Sequence, residues 1–256
     1  HDQQQAQRQP RGGEPPGALT LFTILPGVLI YGLATVDAPI AGLFLGALVS
    51  FIDDARRRTW VWASLWLFAS LFFTFGALFL LPVLLGFELL RRRRVTRSLA
   101  VFALAFGLLG LVKLGLGYDW ARGFWQAAAM ENAKGFWLFV DPKRYLWFRL
   151  GAVAELLLFF TPFAALLWWR GRGALRRLSP DGFALAWLGP ASLACMLLAG
   201  ALKIGEAARV CLFILPYLCL PVFAAWRELE QTARDRVAYG VLGFGCLMQL
   251  VGFYQW

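Results

Sequence analysis

The chain has 256 residues, is 60% hydrophobic, holds 12 Trp and 23 Phe, and has a mean hydropathy of +0.62 with a formal net charge of +10. A soluble domain of this length has too little interior to bury so much apolar surface, whereas a bilayer sets no such limit; the composition points to a polytopic integral membrane protein. The arginines fall in short clusters between apolar stretches, which is the positive-inside pattern of cytoplasmic loops and excludes nucleic acid as a partner.

Residues 1–16 are polar and rich in Gln, Pro and Gly, and are expected to be a flexible tail or linker; residues 17–256 form a single transmembrane domain. The chain opens His-Asp-Gln without Met, which predicts an N-terminally incomplete module. A first short span covers 19–33 and is broken at Pro26-Gly27. After the polar turn around Asp37, Pro39 fits the first turn of a helix that runs to about residue 52. The apolar run 60–90 is too long for one crossing: at ~1.5 Å per residue it would reach ~45 Å against a ~30 Å hydrocarbon core. Arginines at both of its ends belong on one side, so it reads as two short helices turning near Thr74-Phe75-Gly76.

The next span is 99–116, with Lys113 near its far end. Residues 118–149 alternate aromatic and charged side chains, the pattern of amphipathic helices lying in the extracytoplasmic interface. Further spans are expected at 150–169 (with Glu155 inside it), 183–202, 210–225 and 239–256. The total is an all-α bundle of roughly nine spans with the N-terminus cytoplasmic. Cys195, Cys211, Cys219 and Cys246 all fall inside apolar spans and read as small hydrophobes. His1 is the only histidine, which excludes a His-based triad or metal site.

On this topology Asp37, Lys113, Asp119, Lys203, Glu206 and Arg209 share the extracytoplasmic edge. Charges there need partners or a task. Asp37 is either a helix N-cap or a functional carboxylate. Glu206 and Arg209 are spaced as a pair at a helix start, and Lys113 can snorkel to the headgroups. Glu155, about one turn deeper, needs a proton or a partner, and Arg149 is near in sequence. No GxGxxG, P-loop, HExxH or GxSxG pattern is present, nor an inverted repeat of the kind found in many transporters.

Several stretches together resemble the later part of GT-C class membrane glycosyltransferases, the group that includes protein O-mannosyltransferases, aminoarabinose transferases and bacterial enzymes using polyprenyl-phosphate sugars. They are Leu25-Pro-Gly-Val-Leu-Ile-Tyr-Gly followed by Val36-Asp-Ala-Pro, the span from Trp60 through Phe75-Gly76 to Pro82, and Arg144-Tyr-Leu-Trp147 leading to Glu155. The last is Gly205-Glu-Ala-Ala-Arg209 with Leu212-Phe-Ile-Leu-Pro216. The resemblance implies transfer of a sugar from a polyprenyl-phosphate donor to an acceptor on the extracytoplasmic face of a bacterial inner or plasma membrane. By that resemblance Asp37 corresponds to the family's second aspartate, and Glu206 and Arg209 to the pair before the Leu-Phe-x-x-Pro span. The principal aspartate of the family is expected upstream of His1. Lys113, Lys203 and Arg209 would neutralise the donor phosphate; a divalent metal is open, because family members differ. The alternative readings are a lipid or small-solute transporter or flippase subunit, and a non-catalytic membrane scaffold.

Overall fold

The computed structural model describes residues 17–32, 36–53, 58–131, 136–200, 207 and 211–252, and contains no strand among them. The fold is all-α. In chain order the helices are α1 (Ala18–Thr23), α2 (Pro26–Tyr31), α3 (Asp37–Ile52), α4 (Thr59–Phe73), α5 (Leu80–Arg92), α6 (Thr96–Leu116), α7 (Trp120–Glu131), α8 (Trp137–Val140), α9 (Pro142–Phe160), α10 (Pro162–Leu178), α11 (Pro180–Leu198), α12 (Leu215–Glu228) and α13 (Gln231–Gly252). Two 3₁₀ segments, Phe75–Phe79 and Cys211–Ile214, lead into α5 and α12.

Proline and short polar side chains punctuate this apolar sequence. α9, α10 and α11 begin the same way, with a capping side chain followed by proline. Asp141 accepts from the Arg144 N–H at 3.1 Å, Thr161 from Ala164 at 3.2 Å and Ser179 from Gly182 at 3.0 Å. Each cap satisfies a donor that the first turn cannot pair, and the proline after it has no N–H to leave orphaned. Pro26 likewise starts α2 and separates it from α1, as the sequence predicts.

The reversal expected within residues 60–90 occurs at Thr74, which is extended and accepts from the Gly76 N–H at 3.0 Å. Its direction is fixed by Arg97. Thr59 at the start of α4 accepts from the Arg97 guanidinium at 2.8 Å, and Glu88 near the end of α5 accepts from the Arg97 backbone N–H at 3.0 Å. The chain therefore leaves one end of the bundle in α4 and returns to it in α5. α11 runs antiparallel to α5: Ser192 donates to the Phe79 carbonyl at 2.7 Å, and Arg91 reaches Asp181 at the other extreme.

The expected span 150–169 is corrected. The chain breaks at Thr161-Pro162, where α9 and α10 meet at 88°. Pro162 cannot donate into a continuous helix and its ring excludes the preceding turn, while Thr161 sits at φ +70°, which β-branched residues rarely adopt. α9 lies across one end of the bundle, where Tyr145 donates to the Leu198 carbonyl at the close of α11.

The core has two main parts. Phe44, Phe51, Phe79, Leu84 and Val101 join α3, α5 and α6 to the first 3₁₀ segment, and Leu67 of α4 and Leu193 of α11 close the cluster. Leu21, Leu167, Val222 and Trp226 join α1, α10 and α12. α10 and α12 approach most closely through small residues, Gly171 and Ala174 facing Pro221, Ala224 and Ala225. That is how helices gain van der Waals contact where no hydrophobic force drives them together.

By length and composition two helices, Thr96–Leu116 and Pro180–Leu198, can cross a membrane, or three passes if the bent pair α9–α10 is one broken span. This is fewer than the roughly nine spans expected from sequence. α3 and α4 are apolar but shorter, α1 and α2 have six residues each on either side of the break before Pro26, and α5 has 13. α6 makes the membrane argument plainest: only 17% of its most apolar stretch is buried in the protein, and Leu111, Leu114 and Leu116 stand exposed.

Candidate functional site

Two opposite ends of the bundle carry its polar groups. Arg97 gathers one end. Its guanidinium donates to the Ser50 carbonyl at 3.2 Å, the Asp53 carbonyl at 3.1 Å and Thr59, and lies 5.2 Å from the Phe51 ring centroid. It thereby satisfies carbonyls left over at the C-terminus of α3. Glu88 completes the knot, accepting from the Ser98 N–H and hydroxyl, both at 2.6 Å, so that one carboxylate caps the N-terminus of α6. Arg91, Arg176, Arg177 and Arg227 stand at helix C-termini on this same end, facing Asp181 and Glu228.

The other end holds the sequence-derived candidates. α3 and α6 both have their opposite termini at the Arg97 knot, so Asp37 and Lys113 lie away from it. Asp37 occupies the first helical position of α3 and is half-buried; Val36, not Asp37, is the N-cap. A carboxylate there is favoured by the helix dipole. Lys113 is 2.7 Å from Asp119, across the left-handed C-cap Gly117 at φ +72°. Asp119 also accepts from the Arg122 N–H at 3.0 Å and so starts α7. The Lys113 ammonium, and after it the Arg122 N–H, hold Asp119 below the ordinary carboxylate range. Lys113 thus has a structural partner that a phosphate would have to share or displace.

Lys203, Glu206 and Arg209 lie outside the described residues. Between them Ala207 is buried in the central core, the cluster that contains Phe44 of α3 and Phe213, whose rings are 4.9 Å apart. Glu155 is half-buried on α9, and the Arg149 guanidinium lies 5.2 Å from the Tyr145 ring and donates to the Gly200 carbonyl at 3.5 Å.

The interfacial segment expected over 118–149 becomes α7, α8 and the start of α9. Trp120 donates its indole N–H to the Leu71 carbonyl at 2.7 Å and stacks on Phe124, which ties α7 to the end of α4. Arg144 lies over both Trp137 and Phe148, at 4.7 and 5.2 Å from their centroids. Trp125, Phe139 and Trp147 remain exposed, as rings at headgroup depth would. Among the described residues no three His, Cys, Asp or Glu side chains converge as metal ligands.

The sequence reading missed the Glu88–Arg97 knot. The available signal was a lone carboxylate ending an apolar run, followed within one short turn by Arg-Ser at a helix start.

No family model, curated protein or solved structure matches the chain.

Proposed function

We propose that the chain is the later part of a membrane glycosyltransferase of the GT-C type, an enzyme that transfers a sugar from a polyprenyl-phosphate donor to an acceptor at the extracytoplasmic end of the bundle. The observation that carries this reading is the division of polar groups between the two ends. Arginines close the helices at one end, while the half-buried Asp37 and the aromatic helices α7 to α9 occupy the other. The first end is then cytoplasmic under the positive-inside rule. The alternating directions of α1–α2, α3, α4, α5, α6, α10, α11, α12 and α13 would supply nine passes, most of them short, with the N-terminus cytoplasmic.

In this reading the donor lipid lies against the exposed apolar helices and its phosphate reaches the rim. Asp37 positions the acceptor or the sugar. Arg209 holds the phosphate as charge builds on the leaving group, with Lys203 and Lys113 adding positive potential and Glu206 orienting Arg209. Membranes containing the complete gene product, supplied with a labelled polyprenyl-phosphate sugar, test it. Asp37→Asn and Arg209→Ala should each lower transfer by about 10²-fold or more, the usual cost of removing an electrostatic or acid–base contributor. Unchanged transfer in both variants removes the assignments.

A further inference from the structure

We infer that the arginine-bearing end of the bundle holds an anionic phospholipid of the cytoplasmic leaflet, in a groove between α5, α10 and α11. The inference rests on membrane embedding and on the cytoplasmic placement of the arginine end proposed above, and is independent of glycosyl transfer. The groove encloses ≈ 630 Å³ and is lined by Arg91, Arg176, Phe183, Trp187, Leu188 and Ala191, among others. Its chemistry is divided along its length. Arg91 and Arg176 stand at one mouth, where α5 and α10 end and α11 begins, and the rest follows the apolar flank of α11 toward Ala191.

The two arginines are held differently. Arg91 is bonded to Asp181, which fixes its direction but engages only part of a guanidinium with five donors. Arg176 lies 5.8 Å from the Phe183 ring centroid and, among the described residues, has no carboxylate partner. The neighbouring Arg177 is directed instead to Glu228, at 3.7 Å. One carboxylate against two arginines leaves the mouth positive, and the N-terminus of α11 adds to that potential. A free solute anion would satisfy the mouth but leave Trp187 and Leu188 uncovered. A lipid satisfies both, with its phosphate between the arginines and an acyl chain along α11, itself long and apolar enough to cross a membrane.

Native mass spectrometry of the whole protein, released from micelles containing equal phosphatidylglycerol and phosphatidylcholine, tests the site. The protein should retain phosphatidylglycerol in preference. Arg176→Gln should reduce that preference about five-fold, the factor to which ~1 kcal/mol per surface arginine corresponds. Arg91→Gln combined with Arg176→Gln should reduce it on the order of twenty-fold if the two contributions add. Ala191→Trp, which fills the apolar body and spares both arginines, should lower retention of phosphatidylglycerol and serves if the arginine variants fail to fold. Arg94→Gln, an exposed arginine outside the groove, should change nothing. Equal retention of both lipids by the native protein overturns the site. So does an unaltered preference in the double variant, an equal loss in Arg94→Gln, or displacement of the lipid by millimolar inorganic phosphate.

Discussion

Glu88 is 2% exposed at the end of an apolar helix, and three donors from the start of α6 converge on it. Replacing it removes the cap and leaves those donors buried without a partner. Glu88→Ala should lower stability in detergent by about 3 kcal/mol, since each hydrogen bond to a charged group contributes roughly 1.5–3 kcal/mol before relaxation. Glu88→Gln keeps the shape and one acceptor and should lose less. Denaturant titration followed by circular dichroism measures both, and an Ala variant as stable as the native protein would mean that α6 is capped by something else. Asp119 makes the matching point at the opposite end. Its carboxyl is held low in the folded protein by Lys113 and the Arg122 N–H, so the unfolded chain binds a proton more readily. The contribution of the pair is therefore fully present above the ordinary carboxylate value of about 3.9 and is lost as pH falls through the lower folded value. Amide exchange across the α6–α7 junction, corrected for intrinsic rate, should stay slow from neutral pH to about that value and quicken in stronger acid. Asp119→Asn should show the faster exchange already at neutral pH. The sequence revealed Lys113 as a charge at a span end. Its partner could not be read there, because the pairing depends on the left-handed turn at Gly117.

At the scale of the helix, breaks are legible where proline meets glycine or where an apolar run is too long for one crossing, and hidden where the run has the length of one span. Pro26-Gly27 and Thr74-Phe75-Gly76 combine proline or glycine with a turn-forming neighbour, and the chain breaks at both. Thr161-Pro162 carries the same cap-then-proline pair as Asp141-Pro142 and Ser179-Pro180, yet it lies within a continuous apolar run, and hydropathy alone carries the span straight through it. The backbone, lacking a proline N–H, turns by 88°. Packing between helices is less legible still, because it depends on which small residue faces which partner. In α10, a Cβ added at Gly171 would lie 1.8 Å from the Pro221 carbonyl oxygen, whereas one at Gly173 would meet nothing within 4 Å. Gly171→Ala must push α10 away from α12 and should cost at least roughly 3 kcal/mol, the upper part of the range for overpacked cores. Gly173→Ala should be neutral or stabilising by up to about 1 kcal/mol through helix propensity. The two substitutions are chemically identical and two residues apart on one helix, so equal stabilities in the same unfolding assay would refute the close α10–α12 contact.

Across the whole molecule, composition and arginine placement conveyed the helical class and the separation of two polar ends, because both follow from residue type alone. They overstated the number of membrane-length helices and carried one span through the break at Thr161-Pro162: a hydropathy window sees apolar length, while caps and prolines set where hydrogen bonding stops. Asp37, Lys113 and Asp119 were legible as charges and share one end of the bundle, but the proposed centre of the site around Lys203, Glu206 and Arg209 falls outside the described residues, so the arrangement of the ends is the firmer basis for experiment. Three independent contacts define the arginine end: Arg97 with the termini of α3 and α4, Arg91 with Asp181, and Arg177 with Glu228. Trp120 with Leu71 and Tyr145 with Leu198 define the other. Single cysteines at Gln126 on α7 and at Arg94 after α5, in a background with the native cysteines replaced, therefore report opposite ends. In intact cells an impermeant maleimide should label the Gln126 site and spare the Arg94 site until the membrane is opened. Labelling of Arg94→Cys alone would invert the protein, place Asp37 and the aromatic helices in the cytoplasm, and exclude transfer from a lipid-linked donor at the outer face. Labelling of both from outside would contradict the membrane embedding proposed above, for which α6, with its exposed leucines, is long and apolar enough.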